Sequence, residues 1–189
     1  MPDLAAHAAA LLLMYAVLPV WIVAGFTDYL CHRAARIERN SGVTESLLHV
    51  VQFTLIGIPT ILALLLAINA AFFLIAIAAI FLHHGVAYLD VRYANRTRNV
   101  PPFEQMVHSF LEILPLMAFA LLAVLHWPDI LALVGYAPAP QSFTFRFKNP
   151  PLPLGYVLSV VAAAAIFNAL PYGEELVRCL RWRRDRALK

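Results

Sequence analysis

Long apolar runs alternate with short polar ones along the whole chain. The apolar stretches fall near residues 9–30, 47–69, 70–90, 106–126 and 154–173, each close to the roughly 20 residues that a helix needs to cross a bilayer core. The pattern predicts an all-α integral membrane protein with about five transmembrane helices, called spans 1 to 5 below. Together the spans take up nearly the full length, so a single transmembrane domain over residues 1–189 is expected, without a soluble module. Composition agrees. Hydrophobic residues are 62% and charged ones 13% of the chain, with a mean hydropathy of +0.75, whereas soluble domains carry about a quarter charged residues. Span 1 has no basic segment before it and no small-residue cleavage site, so it is read as a retained helix rather than a signal peptide.

The charges that remain are distributed unevenly. Arg33, Arg36 and Arg39 follow span 1, Arg92, Arg96 and Arg98 follow span 3, and Arg178, Arg181, Arg183, Arg184, Arg186 and Lys189 follow span 5. Only Arg146 and Lys148 fall elsewhere. The positive-inside rule places the N-terminus outside and these basic ends in the cytoplasm, as in a plasma membrane of the bacterial inner-membrane type. The pI near 9.1 is then a signal of topology and of attraction to anionic head groups. Nucleic acid is not an expected partner, because no binding module with interleaved aromatics is present. Cys31 and Cys179 both fall on the reducing side and are expected as free thiols.

An internal repeat organises the first two-thirds of the chain. Residues Tyr29 to His49 align without a gap to Tyr88 to His108, at an offset of 59, with identity at 29/88, 30/89, 33/92, 35/94, 39/98, 40/99, 45/104 and 49/108. Each copy covers the inner end of one helix, a basic loop and the start of the next. Asn40, Ser41 and Gly42 make the first turn with Thr44 as the expected N-cap, and Pro101 and Pro102 suit a first helical turn. Repeat 1 covers about 9–69 and repeat 2 about 70–127, followed by an outer loop at 128–153 and span 5 with its basic tail at 154–189. Spans 1 to 4 are expected as two parallel helical hairpins in a quasi-twofold bundle, with span 5 outside the duplication. Ser142 to Phe147 alternates polar and apolar residues, which suggests a short outer strand or hairpin.

Chemistry concentrates where the repeat lies. Asp28 and His32 share one face of span 1, Glu45 and His49 one face of span 2, and Glu104 and His108 one face of span 4. Span 3 offers His83, His84 and Asp90. His83 and Asp90 are seven residues apart, hence on one face, with His84 turned about 100° away. The expected metal ligands are therefore Asp28, His32, Glu45, His49, His83, Asp90, Glu104 and His108, with His84 as a flanking donor. Four helices giving a carboxylate and an imidazole each are what a dinuclear site needs, and soluble di-iron bundles use the same ligand logic. The bland alternative for any one of these groups is a hydrogen-bonded packing residue. Intramembrane ionisable groups, however, are costly and mark function. Tyr29, Arg33, Tyr88, Arg92 and Glu112 are candidate neighbours of the ligands. The two arginines serve equally well as topology determinants, or as a grip on an anionic substrate. His7 and His126 are assigned to the outer interface.

In plan, a His and carboxylate cluster at the cytoplasmic ends of membrane helices resembles the membrane-bound di-iron fatty acid hydroxylases and desaturases. The HxxHH boxes of that superfamily are absent here and carboxylates supply half the ligands, so the resemblance assigns no residue a role. It implies a di-iron oxidoreductase acting on a lipid or other apolar substrate, with electrons from an external donor. Iron or manganese suits the donor set, and zinc is compatible with it. The alternatives are a di-zinc hydrolase, which needs no electron donor, and a non-enzymatic metal carrier or sensor.

Overall fold

The computed structural model describes residues 2–136 and 143–188. It is helical almost throughout. Five helices are long and apolar enough to cross a membrane: α1 (Leu4–Ala35), α2 (Gly42–Leu65), α3 (Ala70–Thr97), α4 (Pro102–Leu125) and α5 (Leu154–Ala187). Helices are the natural solution for apolar segments, because each satisfies its own backbone hydrogen bonds without water. Large apolar side chains such as Phe81, Val124 and Leu170 point outward, whereas Asp28, His32, Glu45 and Glu104 are buried. This inside-out distribution suits a lipid surround and a polar interior.

Local chemistry sets the ends and bends. Span 1 closes at Arg36, which is left-handed at φ 52°, and a 3-10 turn over Ile37–Arg39 leads to Gly42 at φ 64°. The N-cap of α2 is Ser41 rather than the expected Thr44, which lies inside the first turn. Asn69 caps α3 by accepting from the Phe72 amide at 3.2 Å, and Pro102 opens α4 as expected. Both α1 and α5 contain a π-helical segment, Leu13–Val17 and Ala165–Ala169, each followed two residues on by a proline, Pro19 and Pro171. A proline lacks the amide that would serve the preceding turn, and a widened turn accommodates that loss.

The five helices close into a ring in the order α1, α4, α3, α2, α5. Span 5, expected outside the repeated unit, is wedged between α1 and α2. Asn168 donates to the Ile22 carbonyl at 3.2 Å, and the Tyr172 hydroxyl to the Gly25 carbonyl at 3.1 Å. The wedge depends on Gly25, since a Cβ there would lie 2.1 Å from Asn168 Nδ2. The basic tail after span 5 is helical too, running on to Ala187. The end away from the basic loops is packed by Ile68, Phe72, Phe73 and Ala76 against Phe119, with the Phe73 and Phe119 rings edge to face at 5.7 Å. Such dispersion contacts carry helix association where lipid removes the hydrophobic driving force.

Of the expected outer strand, Ser142 lies outside the described residues. Residues 143–147 form no strand; Phe147 makes a single antiparallel bridge with Leu66. Cys31 and Cys179 are free thiols.

Candidate metal centre

The ring brings acids and imidazoles from all five helices to one level near its basic end. From α1 come Asp28 and His32, from α2 Glu45 and His49, from α3 Asp90, from α4 Glu104 and His108, and from α5 Glu175. Asp28, His32, Glu45, His49, Asp90, Glu104 and Glu175 are all at most 4% exposed. The i, i+4 pairs of α1, α2 and α4 present both members inward, as helical spacing requires.

Two groups of ligand atoms, sharing no residue, emerge: Asp28, His32 and His108, and Glu45, His49 and Asp90, each with its atoms within 4.8 Å of one another. In the first, His108 Nε2 and His32 Nε2 lie 2.9 and 3.3 Å from Asp28 Oδ1, and His32 Nε2 is 3.4 Å from Glu104 Oε1. In the second, His49 Nε2 lies 3.2 Å from Asp90 Oδ2, which also accepts from Gln52 Nε2 at 3.1 Å. Asp28 Oδ1, His32 Nε2, His49 Nε2 and Asp90 Oδ1 are buried without hydrogen-bond geometry to any partner among the described residues. Buried polar atoms are rarely left so. His32 Nε2 lies beside Asp28 Oδ1 and His49 Nε2 beside the Asp90 carboxylate, an arrangement that fits metal ligation.

Glu175 ties the two groups together. Its Oε2 lies 3.1 Å from His32 Nδ1 and its Oε1 2.9 Å from His49 Nδ1. The two imidazoles stack with centroids 4.2 Å apart and planes 9° from parallel. A carboxylate facing both Nδ1 atoms makes both of them N–H donors, so each Nε2 turns a lone pair toward the cluster. On the other side stands Arg98, just past the end of α3. Its Nε donates to both Glu45 oxygens at 3.2 Å, its Nη1 to Glu104 Oε2 at 3.0 Å, and its Nη2 to both acids. Burial works against the Arg98 charge, but the hydrogen bonds it donates to Glu104 and Glu45 outweigh it and raise its pKa above the usual guanidinium range. Arg39, its counterpart in the repeat, instead lies over the Trp182 ring at 5.1 Å.

Of the nine expected donors, the structure assembles Asp28, His32, Glu45, His49, Asp90, Glu104 and His108, but not His83 or His84. His83 does share the face of Asp90. Seven residues also raise it about 10 Å along the helix, so it lines a cavity above the cluster. His84 turns back onto its own helix, with Nδ1 2.9 Å from the Ile80 carbonyl. Among the expected neighbours, Tyr29 donates to Glu174 at 2.9 Å and Arg33 pairs with the same acid at 3.1 Å. Tyr88 and Arg92 are exposed, and Glu112 lines the cavity. Sequence reasoning missed Glu175, Arg98, Gln52 and Tyr172. The visible signals were the acidic pair Glu174–Glu175 within an arginine-rich segment and Gln52 one turn past His49.

The cavity holds about 420 Å³ and runs from Asp28, His49 and His108 toward the outer half of the bundle, between largely apolar walls. Ile58 and Ile61 of α2 and Val161 of α5 line it and are exposed. A second cavity of about 220 Å³ shares Leu18, Trp21, Ile56, Thr60 and Leu64 with it and reaches Lys148. No protein-family model, curated protein or solved structure matches the chain.

Proposed function

We propose that this protein is an integral membrane enzyme that holds two divalent metal ions, most consistent with a di-iron oxidoreductase of the hydroxylase, desaturase or oxygenase type. Its substrate is a lipid or other apolar molecule that enters the cavity from the bilayer. The observation that carries the reading is the pair of disjoint ligand groups, Asp28/His32/His108 and Glu45/His49/Asp90. Charge supports it. Five buried carboxylates against the single guanidinium of Arg98 leave four negative charges, the complement of two divalent cations beside neutral imidazoles. In the absence of ions, protonation of His32, His49 and His108 beside these acids would offset three of the four charges, so the charge count accords with two divalent cations without requiring them.

The repeat supports it too. Subtracting the offset, His49 and His108 are equivalent, as are Glu45 and Glu104, and each imidazole meets the aspartate of a neighbouring helix: His49 with Asp90, His108 with Asp28. The ring order α1, α4, α3, α2 is unchanged by exchanging the two hairpins, with α5 filling one gap. The basic ends beside the cluster support a cytoplasmic location for it.

Mixed imidazole and carboxylate ligation without thiolate suits iron, which would activate dioxygen as the oxidant of unactivated C–H bonds, with two electrons from a partner protein completing the reduction of dioxygen to water. The chain's own residues would hold the ions, orient both imidazoles through Glu175 and keep water out with apolar walls. Hydrolysis by two zinc ions is the second reading, and the walls disfavour it. The cavity's hydroxyl and carboxamide groups at Gln52, Thr54, Thr60, Asn168 and Tyr172 already donate within the protein, leaving little to stabilise a developing oxyanion.

Elemental analysis with a Mössbauer spectrum of the purified protein tests this. Two irons per chain in the native protein, and loss of iron in His108→Ala and Asp90→Ala, are expected. Full metal content in both variants would overturn the site, and two zincs would overturn the oxidoreductase assignment.

A further inference from the structure

His83 belongs to neither ligand group, yet it is 5% exposed in the wall of the larger cavity. Its counterpart in the first repeat is Ala24, so the duplication does not account for it. Its Nδ1 lies 3.4 Å from the Gln52 carbonyl, and its Nε2 is buried without a hydrogen-bond partner among the described residues. With Nδ1 carrying the proton toward Gln52, Nε2 is an acceptor. The same wall carries two more acceptors. Pro115, with no amide to give, leaves the Leu111 carbonyl without its helical donor; Glu112 follows it directly and also faces the cavity. Since only Nδ1 has hydrogen-bond geometry to a carbonyl, the single N–H of the neutral ring goes to Gln52 and the Nε2 lone pair stays open.

We infer that this wall recognises a hydrogen-bond donor on the substrate, so that the cavity selects an apolar chain bearing a hydroxyl or amine, with His83 Nε2 as the principal acceptor. The chemistry near His83 favours acceptors, because Gln52, Thr54, Thr60, Asn168 and Tyr172 donate within the protein, while the open indole N–H of Trp21 lies on the side shared with the second cavity. In an apolar cavity an unmet acceptor is costly, and a ligand donor removes that cost. The rise of about 10 Å between His83 and Asp90 sets the separation between the anchored donor group and the segment held at the ligand cluster. This inference rests on the cavity being the substrate site proposed above.

Equilibrium binding of tritiated dodecanol to the detergent-solubilised protein, competed with unlabelled dodecanol or its donor-free isostere methoxyundecane, tests it, with metal content measured on the same samples. The native protein should prefer the alcohol about tenfold, the factor equivalent to about 1.4 kcal/mol. His83→Phe should bind both compounds equally while retaining its metal, and His83→Gln, which restores an acceptor, should recover most of the preference. Equal binding of alcohol and ether by the native protein, an undiminished preference in His83→Phe, or loss of metal in that variant would each overturn the inference. A preference present in the native protein and lost in His83→Phe, in protein that holds no metal, would uphold the donor site and overturn the metal reading.

Discussion

Glu175 is the most informative residue to change, because both of its oxygens are committed. One faces His32 Nδ1 at 3.1 Å and the other His49 Nδ1 at 2.9 Å, with no exposed surface on the side chain. Glu175→Gln keeps the shape but replaces one acceptor with an NH2 donor. The imidazole that meets this donor must present a lone pair at Nδ1, which moves its proton to Nε2, the atom turned toward the cluster. That nitrogen can then no longer ligate. Loss of such an orienting carboxylate costs about 10- to 100-fold in metal affinity, or about 1.4–2.7 kcal/mol. Because the amide oxygen still serves the other imidazole, one ion should weaken and the other should hold. Chelator competition with elemental analysis reads this as a fall from two tight ions to one. Glu174→Gln is the control, one residue away but 43% exposed and paired with Arg33. Two ions bound with undiminished affinity in Glu175→Gln would refute the reasoning, as would an equal loss in Glu174→Gln.

Arg98→Leu should destabilise the protein by about 3–5 kcal/mol, because it strands two buried carboxylates, whereas Arg39→Leu should change stability by less than about 0.5 kcal/mol; chemical unfolding in detergent compares them. Gly25→Ala should lower the melting temperature, because its Cβ would strike Asn168 and push α5 off α1, at about 1–3 kcal/mol for an overpacked contact, while Gly85→Ala meets nothing within 4 Å and should be neutral or stabilising. Metal affinity should fall as pH falls, since protons compete for the imidazole Nε2 atoms and the carboxylates that must be unprotonated to ligate, and binding should release protons; titration of the metal-free protein in weak buffer measures both.

The helices were legible because apolar runs of membrane length leave little choice of structure. The helical i, i+4 periodicity likewise placed Asp28 with His32, Glu45 with His49 and Glu104 with His108. His83 shows where periodicity stops: angle was right and depth was not, because a repeat every seven residues preserves face while moving two turns along the axis. Glu175 shows a second limit. Its helix lies outside the duplication, and a carboxylate among arginines reads as a surface ion pair until the ring order puts α5 between α1 and α2. Arg98 was visible as a charge but not as the bridge between two glutamates, since nothing in the repeat separates it from Arg39, which turns to Trp182 instead.

That ring order constrains biogenesis. Helix α5 follows the other four in the sequence, yet it occupies the seam between the first two. Before α5 joins α1 to α4, the seam stays open and the acids of the unfinished site have Arg98, the imidazoles of His32, His49 and His108, and water to offset them. Insertion of α5 is thus the closing step of assembly, and it brings Glu175, the group that orients both stacked imidazoles, into place at the same moment. Under the proposed function, metal acquisition would be coupled to complete insertion: a chain stalled before residue 175 would present the candidate ligands without Glu175 to orient them, and an open polar seam in the bilayer rather than a finished bundle.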